Sequence, residues 1–329
     1  MRTYRWGILG LGNIARKFAA DLAHVPGASL HAVASRSEEK ARTFAAEFGT
    51  AHAVGSYEAL TAVPDLDVVY IATPHSEHHA HALLCLRAGI AVLLEKPFTV
   101  NASQAQELAD VARAKGVFLM EAFWTRFFPA VAYALELLKS GAIGEVKHLV
   151  ADFGGVMPYE PLGRLFNPHL AGGSLLDIGV YPLFLSQLFL GLPTAVAAVA
   201  VPAGTGVDLS CAMSLAYASG ATASLTSTLA APLDNQCVLY GTGGQLRLLG
   251  PLYAPHGVRV QPLGQEAQEF AYPPPGDGYH YEATHVQECL AQERLESPLL
   301  SLSSSLALMR LLDTVRQRIG LRYPGEGGG

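Results

Sequence analysis

Two hydrophobic rhythms divide the chain. In the first 122 residues, short unbroken apolar runs alternate with stretches that return to apolar positions every third or fourth residue. The runs are Tyr4–Leu9, Ser29–Ser35, Asp67–Ala72, Ala91–Leu94 and Val117–Ala122, and they predict strands covered on both faces. Between them, helical spacing runs from Asn13 to about Leu22, then to about Phe48 where Gly49 stops it. Ser56 opens a short helix, another ends at Gly89, and Asn101 caps one that runs through Lys115 to Gly116. Strands alternating with helices predict a parallel sheet with helices on both sides, so residues 1–122 are expected to form one α/β domain.

The rhythm changes after Phe123. Helical spacing from Pro129 to Ser140 and a strand from Glu145 to Phe153 lead into Gly154–Pro168, an irregular Gly- and Pro-rich stretch that is a candidate flap. From Ala195 the chain becomes strand-rich. Ala195–Val201, Ser210–Tyr217, Ala221–Ser227, Gln236–Tyr240, Gln245–Leu249 and Val258–Gln261 are short runs separated by Gly, Pro and Asp turns, which predicts an open antiparallel sheet. Two closing helices are expected, about Tyr281–Ala291 and Ser301–Ile319, followed by a frayed Gly325–Gly329 tail. Residues 123–329 therefore read as a second, α+β domain. The small, weakly charged residues of Ala221–Ser227 leave a flat face of the kind that pairs with a copy of itself, which predicts a homodimer.

Composition narrows the function classes. Half the residues are hydrophobic and only 15% are charged, so a large core is easily filled and disorder is not expected. A net charge of −6 without any basic stripe argues against nucleic acid as a partner. Cys85, Cys211, Cys237 and Cys289 are scattered without zinc or redox spacing, which fits buried thiols in a reducing cytoplasm. A strand beginning at Tyr4 leaves no room for a secretory leader, and no apolar run reads as membrane-spanning, so a soluble cytoplasmic protein is expected.

The candidate chemistry sits at strand ends. In Gly10-Leu11-Gly12-Asn13-Ile14-Ala15, Gly10 permits a tight turn, Gly12 lets a pyrophosphate approach the backbone, and Ala15 lets helix and strand pack closely. The helix beginning at Asn13 and Ile14 aims its unpaired N–H groups at that phosphate. Where an NAD site carries Asp or Glu at the end of the second strand, this chain has Ser35-Arg36-Ser37. A hydroxyl and a guanidinium bind a 2′-phosphate that a carboxylate would repel, which favours NADP and leaves NAD possible. Ser37 also reads as a helix cap, and the two roles are compatible. Thr73-Pro74-His75-Ser76 lies at the carboxyl edge of the sheet, where Thr73 and His75 are candidate cofactor contacts. His75, His78, His79 and His81 invite a metal reading, but no carboxylate or thiolate ligand set accompanies them, so no metal is expected. Glu95-Lys96-Pro97 places a lysine at the end of a central strand, so Lys96 should point into the cofactor cleft, with Glu95 beside it. In Phe123-Trp124-Thr125-Arg126-Phe127-Phe128-Pro129, the residues Trp124, Arg126 and Phe128 suit a substrate-pocket wall, although a core hinge would use the same aromatics. Asp177 and Tyr181 stand four apart in an apolar segment, on one face if helical, and pairing with each other and with Lys96 would satisfy all three groups. A helix-stabilising contact is the alternative for that pair.

These landmarks, in this order, resemble the glucose–fructose oxidoreductase / inositol dehydrogenase (Gfo/Idh/MocA) family of two-domain enzymes. The likeness covers nearly the whole chain. Met120–Pro129, Leu176–Tyr181 and Glu296-Ser297-Pro298 are most similar to the family's dimeric trans-dihydrodiol dehydrogenase / NADP D-xylose dehydrogenase branch. The resemblance implies a Rossmann domain, a C-terminal domain with a large open sheet, dimerisation through that sheet, and hydride transfer between NADP and a sugar or trans-dihydrodiol. Many sugar dehydrogenases of the wider family carry His where this chain has Tyr181, which points to a Tyr-based mechanism with Lys96 stabilising the phenolate and Asp177 orienting both. A keto-sugar or imine reductase using the same cleft, or a non-catalytic NADP-binding sensor, is the alternative.

Overall fold

The computed structural model describes residues 2–326, so of the tail expected at Gly325–Gly329 the last three residues lie outside the described chain. The chain forms two compact units, Met1–Trp124 with Pro274–Leu306, and Thr125–Pro273 with Ala307–Gly329.

The first unit is built on a six-stranded parallel sheet. Its strands are β1 (Tyr4–Leu9), β2 (Ala28–Ala34), β3 (His52–Val54), β4 (Val68–Ile71), β5 (Ala91–Glu95) and β6 (Leu119–Ala122), in the spatial order β3-β2-β1-β4-β5-β6. That order reverses beside β1, and the crevice at the carboxyl ends of β1 and β4 is where such sheets bind ligands. The expected apolar runs are the strands, and Trp6, Ile8, Leu9, Val68, Tyr70 and Leu93 are fully buried. The helices are α1 (Asn13–Leu22), α2 (Glu38–Phe48), α3 (Tyr57–Thr61), α4 (His78–Arg87) and α5 (Ala102–Lys115). Ser37, Ser56 and Asn101 cap three of them by accepting from Lys40, Ala59 and Gln104 N–H. Gly49 and Gly116 close two in the left-handed conformation. The three-residue strand β3 was not read from the sequence, because three half-buried residues give no hydrophobic run.

Residues 274–306, which the sequence reading placed in the second domain, pack with this first unit. A buried carboxylate is one of the contacts that hold them there. Asp21, on α1, accepts from the N–H groups of Asp277 (3.0 Å), Gly278 (2.7 Å) and Tyr279 (2.8 Å). These are donors at the start of a further helix, Tyr279–Ala291, where a negative charge is favoured. A side chain at Gly276 would meet Asp21 Oδ1 at 2.2 Å, so the loop must be glycine there. Glu296-Ser297-Pro298 also acts as a fastener. Ser297 Oγ accepts from Leu299 and Leu300 N–H at 3.0 Å each and lies 2.7 Å from His285 Nε2, and Glu296 accepts from Leu302 N–H at 2.7 Å.

The second unit carries an eight-stranded sheet made of β7 (Val146–Gly154), β8 (Ala195–Pro202), β9 (Asp208–Ala216), β10 (Thr222–Thr228), β11 (Cys237–Gly241), β12 (Gly244–Leu249), β13 (Gly257–Pro262) and β14 (Gln268–Ala271). The order is β14-β13-β12-β11-β7-β10-β9-β8, antiparallel throughout except for the parallel pair β7–β10. The helices α6 (Pro129–Lys139) and α7 (Val180–Leu190) pack on it, α6 on β12 and β13 and α7 on β7 and β10. Tyr279–Ala291 is α8, and α9 spans Leu302–Ile319. One sheet face is buried through Cys211, Met213, Leu215, Ala223 and Leu225, while Val199 and Val201 stand 72% and 59% exposed on the edge strand.

The stretch Pro168–Leu190 corrects one expectation, since its 23 residues are long and apolar enough to cross a membrane. It is 78% buried and is broken into a 3₁₀ turn, a π turn and α7, as befits the core segment of a folded domain.

Candidate active site

The phosphate turn is shaped by two glycines with different reasons. Gly10 has φ +90°, and a Cβ there would lie 2.7 Å from Thr73 Cγ2 and 2.9 Å from the Ala72 carbonyl. Only glycine fits that packing. Gly12 has φ −89° and heads α1 without a side-chain cap, yet a Cβ there would meet nothing within 4 Å. The opening is therefore bounded by the free N–H groups of the helix's first turn, at Asn13 and the 40% exposed Ile14, which suits a pyrophosphate. At the end of β2, buried Ser35 accepts from Ser37 N–H at 3.2 Å, and Arg36 is exposed; burial raises the pKa of Tyr57, and the nearby Arg36 charge opposes that rise.

The four histidines have separate duties. His75 is buried in a 3₁₀ turn, its ring 5.7 Å from that of His78. His79 pairs with Glu107 at 2.9 Å, and His81 Nδ1 lies 3.1 Å from Thr73 Oγ1. His78 is fully buried, with Nδ1 2.8 Å from the Pro97 carbonyl and Nε2 2.9 Å from the Thr73 carbonyl. Burial outweighs the pull of the two carbonyls and lowers its pKa to about 4, so the neutral ring has one N–H and donates it to the carbonyl of one of the two loops, packing against the other. Among the described residues no three His, Cys, Asp or Glu side chains gather for a metal.

Lys96 is half-buried on a turn whose backbone is held by buried side chains. Glu95 takes the Tyr70 hydroxyl on one oxygen and the Lys96 N–H on the other, the latter at 3.1 Å. His78 faces the Pro97 carbonyl, and Glu121, on β6, accepts from Phe98 N–H at 3.0 Å. The Lys96–Pro97 peptide is cis. Glu95, expected as a cofactor contact, thus has both oxygens engaged in shaping the turn. Glu282, on α8, is fully buried nearby with neither oxygen hydrogen-bonded, and burial followed by the Glu95 charge pushes its pKa well up. Sequence reasoning missed Glu121, Glu282 and Tyr57 at this end of the sheet, and weighed His78 there only as a metal ligand. Glu121 was legible in principle as a carboxylate inside an apolar strand. Trp124 stacks on Tyr279 at 4.3 Å, Arg126 is half-buried with its pKa lowered by desolvation, and Phe128 has no exposed surface and packs as core rather than as a pocket wall.

In the second unit the Asp177–Tyr181 segment departs from the expected helix. Leu175–Gly179 is a π turn that leads into α7, so the four-residue spacing does not stack the two side chains on one regular α face. Asp177 is buried and ion-paired with Arg164 at 2.7 Å, a residue of the irregular loop that the sequence reading left without chemistry. Tyr181 is buried among aromatics, its ring 5.5 Å from Phe153 and 6.0 Å from Tyr253. The π turn is anchored by Asp208, which accepts from Ser174 Oγ at 2.7 Å and Leu175 N–H at 2.6 Å and whose pKa burial raises to about 6. Gly172 and Gly173 leave no room for a Cβ, which would meet Leu165 O at 2.7 Å and Asp208 Oδ1 at 2.1 Å respectively.

Glu121 makes the cost of this construction measurable. Burial, the largest cause, raises its pKa from 4.5 to about 7 in the folded protein. Between those values the unfolded chain has lost a proton that the folded one keeps, so stability falls as pH rises through the window. At roughly 1.4 kcal/mol per pH unit the loss reaches about 3 kcal/mol above pH ~7. Glu121→Gln is expected to match the wild type in urea unfolding near pH 4.5 and to exceed its stability increasingly up to pH 8. Parallel stability curves would remove Glu121 from the titration.

Comparisons with known proteins match this architecture. Residues 4–123 match the oxidoreductase family with an NAD-binding Rossmann fold, and residues 131–247 match the GFO/IDH/MocA C-terminal domain. Trans-1,2-dihydrobenzene-1,2-diol dehydrogenase of Bos taurus is 40% identical, over 98% of each chain, and that of Homo sapiens is 39% identical, again over 98% of each. Among solved structures, KijD10, a 3-ketoreductase from Actinomadura kijaniata in complex with NADP and TDP-benzene, superimposes with a TM-score of 0.87 at 30% identity, covering 97% of this chain and 98% of that one. An aldose–aldose oxidoreductase from Caulobacter crescentus complexed with glycerol gives a TM-score of 0.87 at 27% identity, over 96% of this chain and 97% of that one. With both halves matched and relatives of this identity along its whole length, the chain belongs to the Gfo/Idh/MocA family and is an NAD(P)-dependent oxidoreductase.

Proposed function

We propose that the chain transfers hydride between NADP and a carbinol carbon of a cyclic sugar or trans-dihydrodiol. The observation that carries this is the half-buried Lys96, set at the carboxyl end of a central strand on a turn that Glu95, His78 and Glu121 hold. The dihydrodiol dehydrogenase relatives and the NADP-bound ketoreductase support the substrate and cofactor classes.

The residues present suit the cofactor. The opening at Gly12 and the N–H groups at Asn13 and Ile14 take the pyrophosphate, and Gly10 keeps the turn tight enough to offer them. Ser35 and Arg36 take the 2′-phosphate, which sets NADP above NAD. Thr73 and His75 stand at the carboxyl edge beside the Lys96 turn and serve the nicotinamide end. The bound cofactor supplies the hydride acceptor. Tyr181 takes the substrate hydroxyl proton. A free tyrosine has a pKa of about 10, so near neutral pH it needs a cation, and Lys96 stabilises the phenolate. Asp177, with Arg164, orients the tyrosine segment, and Trp124 and Arg126 contact substrate. A keto-sugar reductase running in the opposite direction is the second reading, favoured by the ketoreductase likeness; the same groups then return the proton.

Tyr181→Phe removes only the hydroxyl. Turnover is expected to fall at least about a hundredfold while NADP binding, followed by protein fluorescence, stays within about twofold of wild type. Undiminished turnover would take Tyr181 out of the mechanism.

The exposed β8–β10 face supports a homodimer formed through this sheet. Val199→Lys with Val201→Lys should convert the dimer to a monomer in sedimentation velocity. A wild-type chain that sediments as a monomer at micromolar concentration would contradict it.

A further inference from the structure

We infer that Tyr323, in the segment after α9, is a positioning residue for the reaction: it holds the short bridge Gly172–Ser174 from which the Asp177–Tyr181 segment springs. This rests on the proton-transfer reading of Tyr181 given above. The bridge joins the loop that carries Arg164 to the π turn, and it is gripped from two directions already. On the loop side, Gly172 N–H donates to the Asn167 carbonyl at 3.1 Å and Gly173 N–H to the Leu165 carbonyl at 2.8 Å. On the sheet side, Ser174 Oγ donates to Asp208 at 2.7 Å and lies 2.9 Å from Ser227 Oγ, and Leu175 N–H reaches the same Asp208 oxygen at 2.6 Å. The π turn also rests on the end of β10, since a Cβ at Gly179 would meet Ser227 Oγ at 2.8 Å.

The third grip comes from far along the chain. The Tyr323 hydroxyl donates to the Gly172 carbonyl at 2.6 Å. Tyr323 is itself fixed on both sides of its ring and backbone. It is buried, the buried Arg316 guanidinium of α9 lies over its ring 4.7 Å from the centroid, and Glu326 accepts its N–H at 2.9 Å while ion-pairing with Arg316. Burial, with the Asp208 charge adding to it, raises the phenol's pKa well above the ordinary value, so the hydroxyl stays a donor near neutral pH. Without that hydroxyl the Gly172 carbonyl loses a buried donor, and the bridge gains slack at the point where it enters the π turn. Proton transfer is sensitive to such slack, because the phenol must meet the substrate hydroxyl at hydrogen-bond distance.

Tyr323→Phe keeps the ring under Arg316 and removes only the hydroxyl. The test compares the wild type, Tyr323→Phe, Tyr181→Phe and the double variant. Each is assayed with NADP and the best substrate among D-xylose, D-glucose and a trans-dihydrodiol, and urea unfolding shows that each is folded under assay conditions. Tyr323→Phe is expected to lower kcat about tenfold, with KM and NADP Kd within about twofold of wild type. In the Tyr181→Phe background the same change is expected to lower the residual kcat by less than about twofold, because Tyr323 acts through the Tyr181 hydroxyl. A residue that only stabilises the fold would lower kcat by one factor in both backgrounds. That result, or a Tyr323→Phe kcat within about twofold of wild type, overturns the role of Tyr323 and leaves that of Tyr181 standing. Undiminished turnover in Tyr181→Phe, or no turnover by the wild type, overturns the reading of Tyr181 itself, and the inference falls with it.

Discussion

A strand that ends in a buried turn leaves backbone N–H and C=O groups that water cannot reach, and each must find a partner or cost about as much as a lost hydrogen bond. The turn carrying Lys96 meets this demand with titratable side chains. The Glu95 carboxylate, the His78 ring and the Glu121 carboxyl take the Lys96 N–H, the Pro97 carbonyl and the Phe98 N–H in succession. Their burial shifts His78 toward the neutral ring and Glu121 toward the neutral acid. His78 and Glu121 are thus held inside the fold by burial that favours their uncharged forms, while Glu95 remains the charged partner beside the lysine. The outcome is a rigid pedestal for one cation. Preorganisation of this kind, rather than reactivity in the pedestal residues themselves, is what a hydride-transfer site needs from its protein.

The same solution recurs at lower rank in each unit. Asp21 collects three N–H groups ahead of α8, and Asp208 collects Leu175 N–H and the Ser174 hydroxyl at the π turn. In both places a glycine is forced because the carboxylate stands where a Cβ would go, at Gly276 and at Gly173. One carboxylate brings a sequence-distant helix into the first unit. The other sets the geometry of the segment that carries Asp177 and Tyr181.

Much of the fold was legible because the hydrophobic periods and caps agree. The β1–α1 turn, the Ser37, Ser56 and Asn101 caps, the glycine stops and most of the second sheet follow from pattern alone. What escaped was long-range. The parallel β7–β10 pair depends on register between strands about 75 residues apart. The return of 274–306 to the first unit rests on long-range contacts, Asp21 with the start of α8 and Phe18 with Tyr279 among them, that no local period marks. At the site, strand-end residues such as Lys96 could be named because strand ends bind ligands in such sheets. Residues that act on backbone groups, including Glu121, His78 and Asp208, carry no motif, and Tyr57 looks like any residue after a serine cap. The pairing of Asp177 with Arg164 was missed because a loop arginine has no period to betray its direction. The π turn was missed because it reads as helix.

The most direct test of the central claim is near-ultraviolet absorbance of the purified protein with NADP or NAD and a panel of D-xylose, D-glucose and a trans-dihydrodiol. Absorbance of reduced cofactor is expected to grow with at least one of these substrates, faster with NADP than with NAD. Tight NADP binding with no reduction on any member of the panel, and no consumption of reduced cofactor with the corresponding keto compounds, would contradict it.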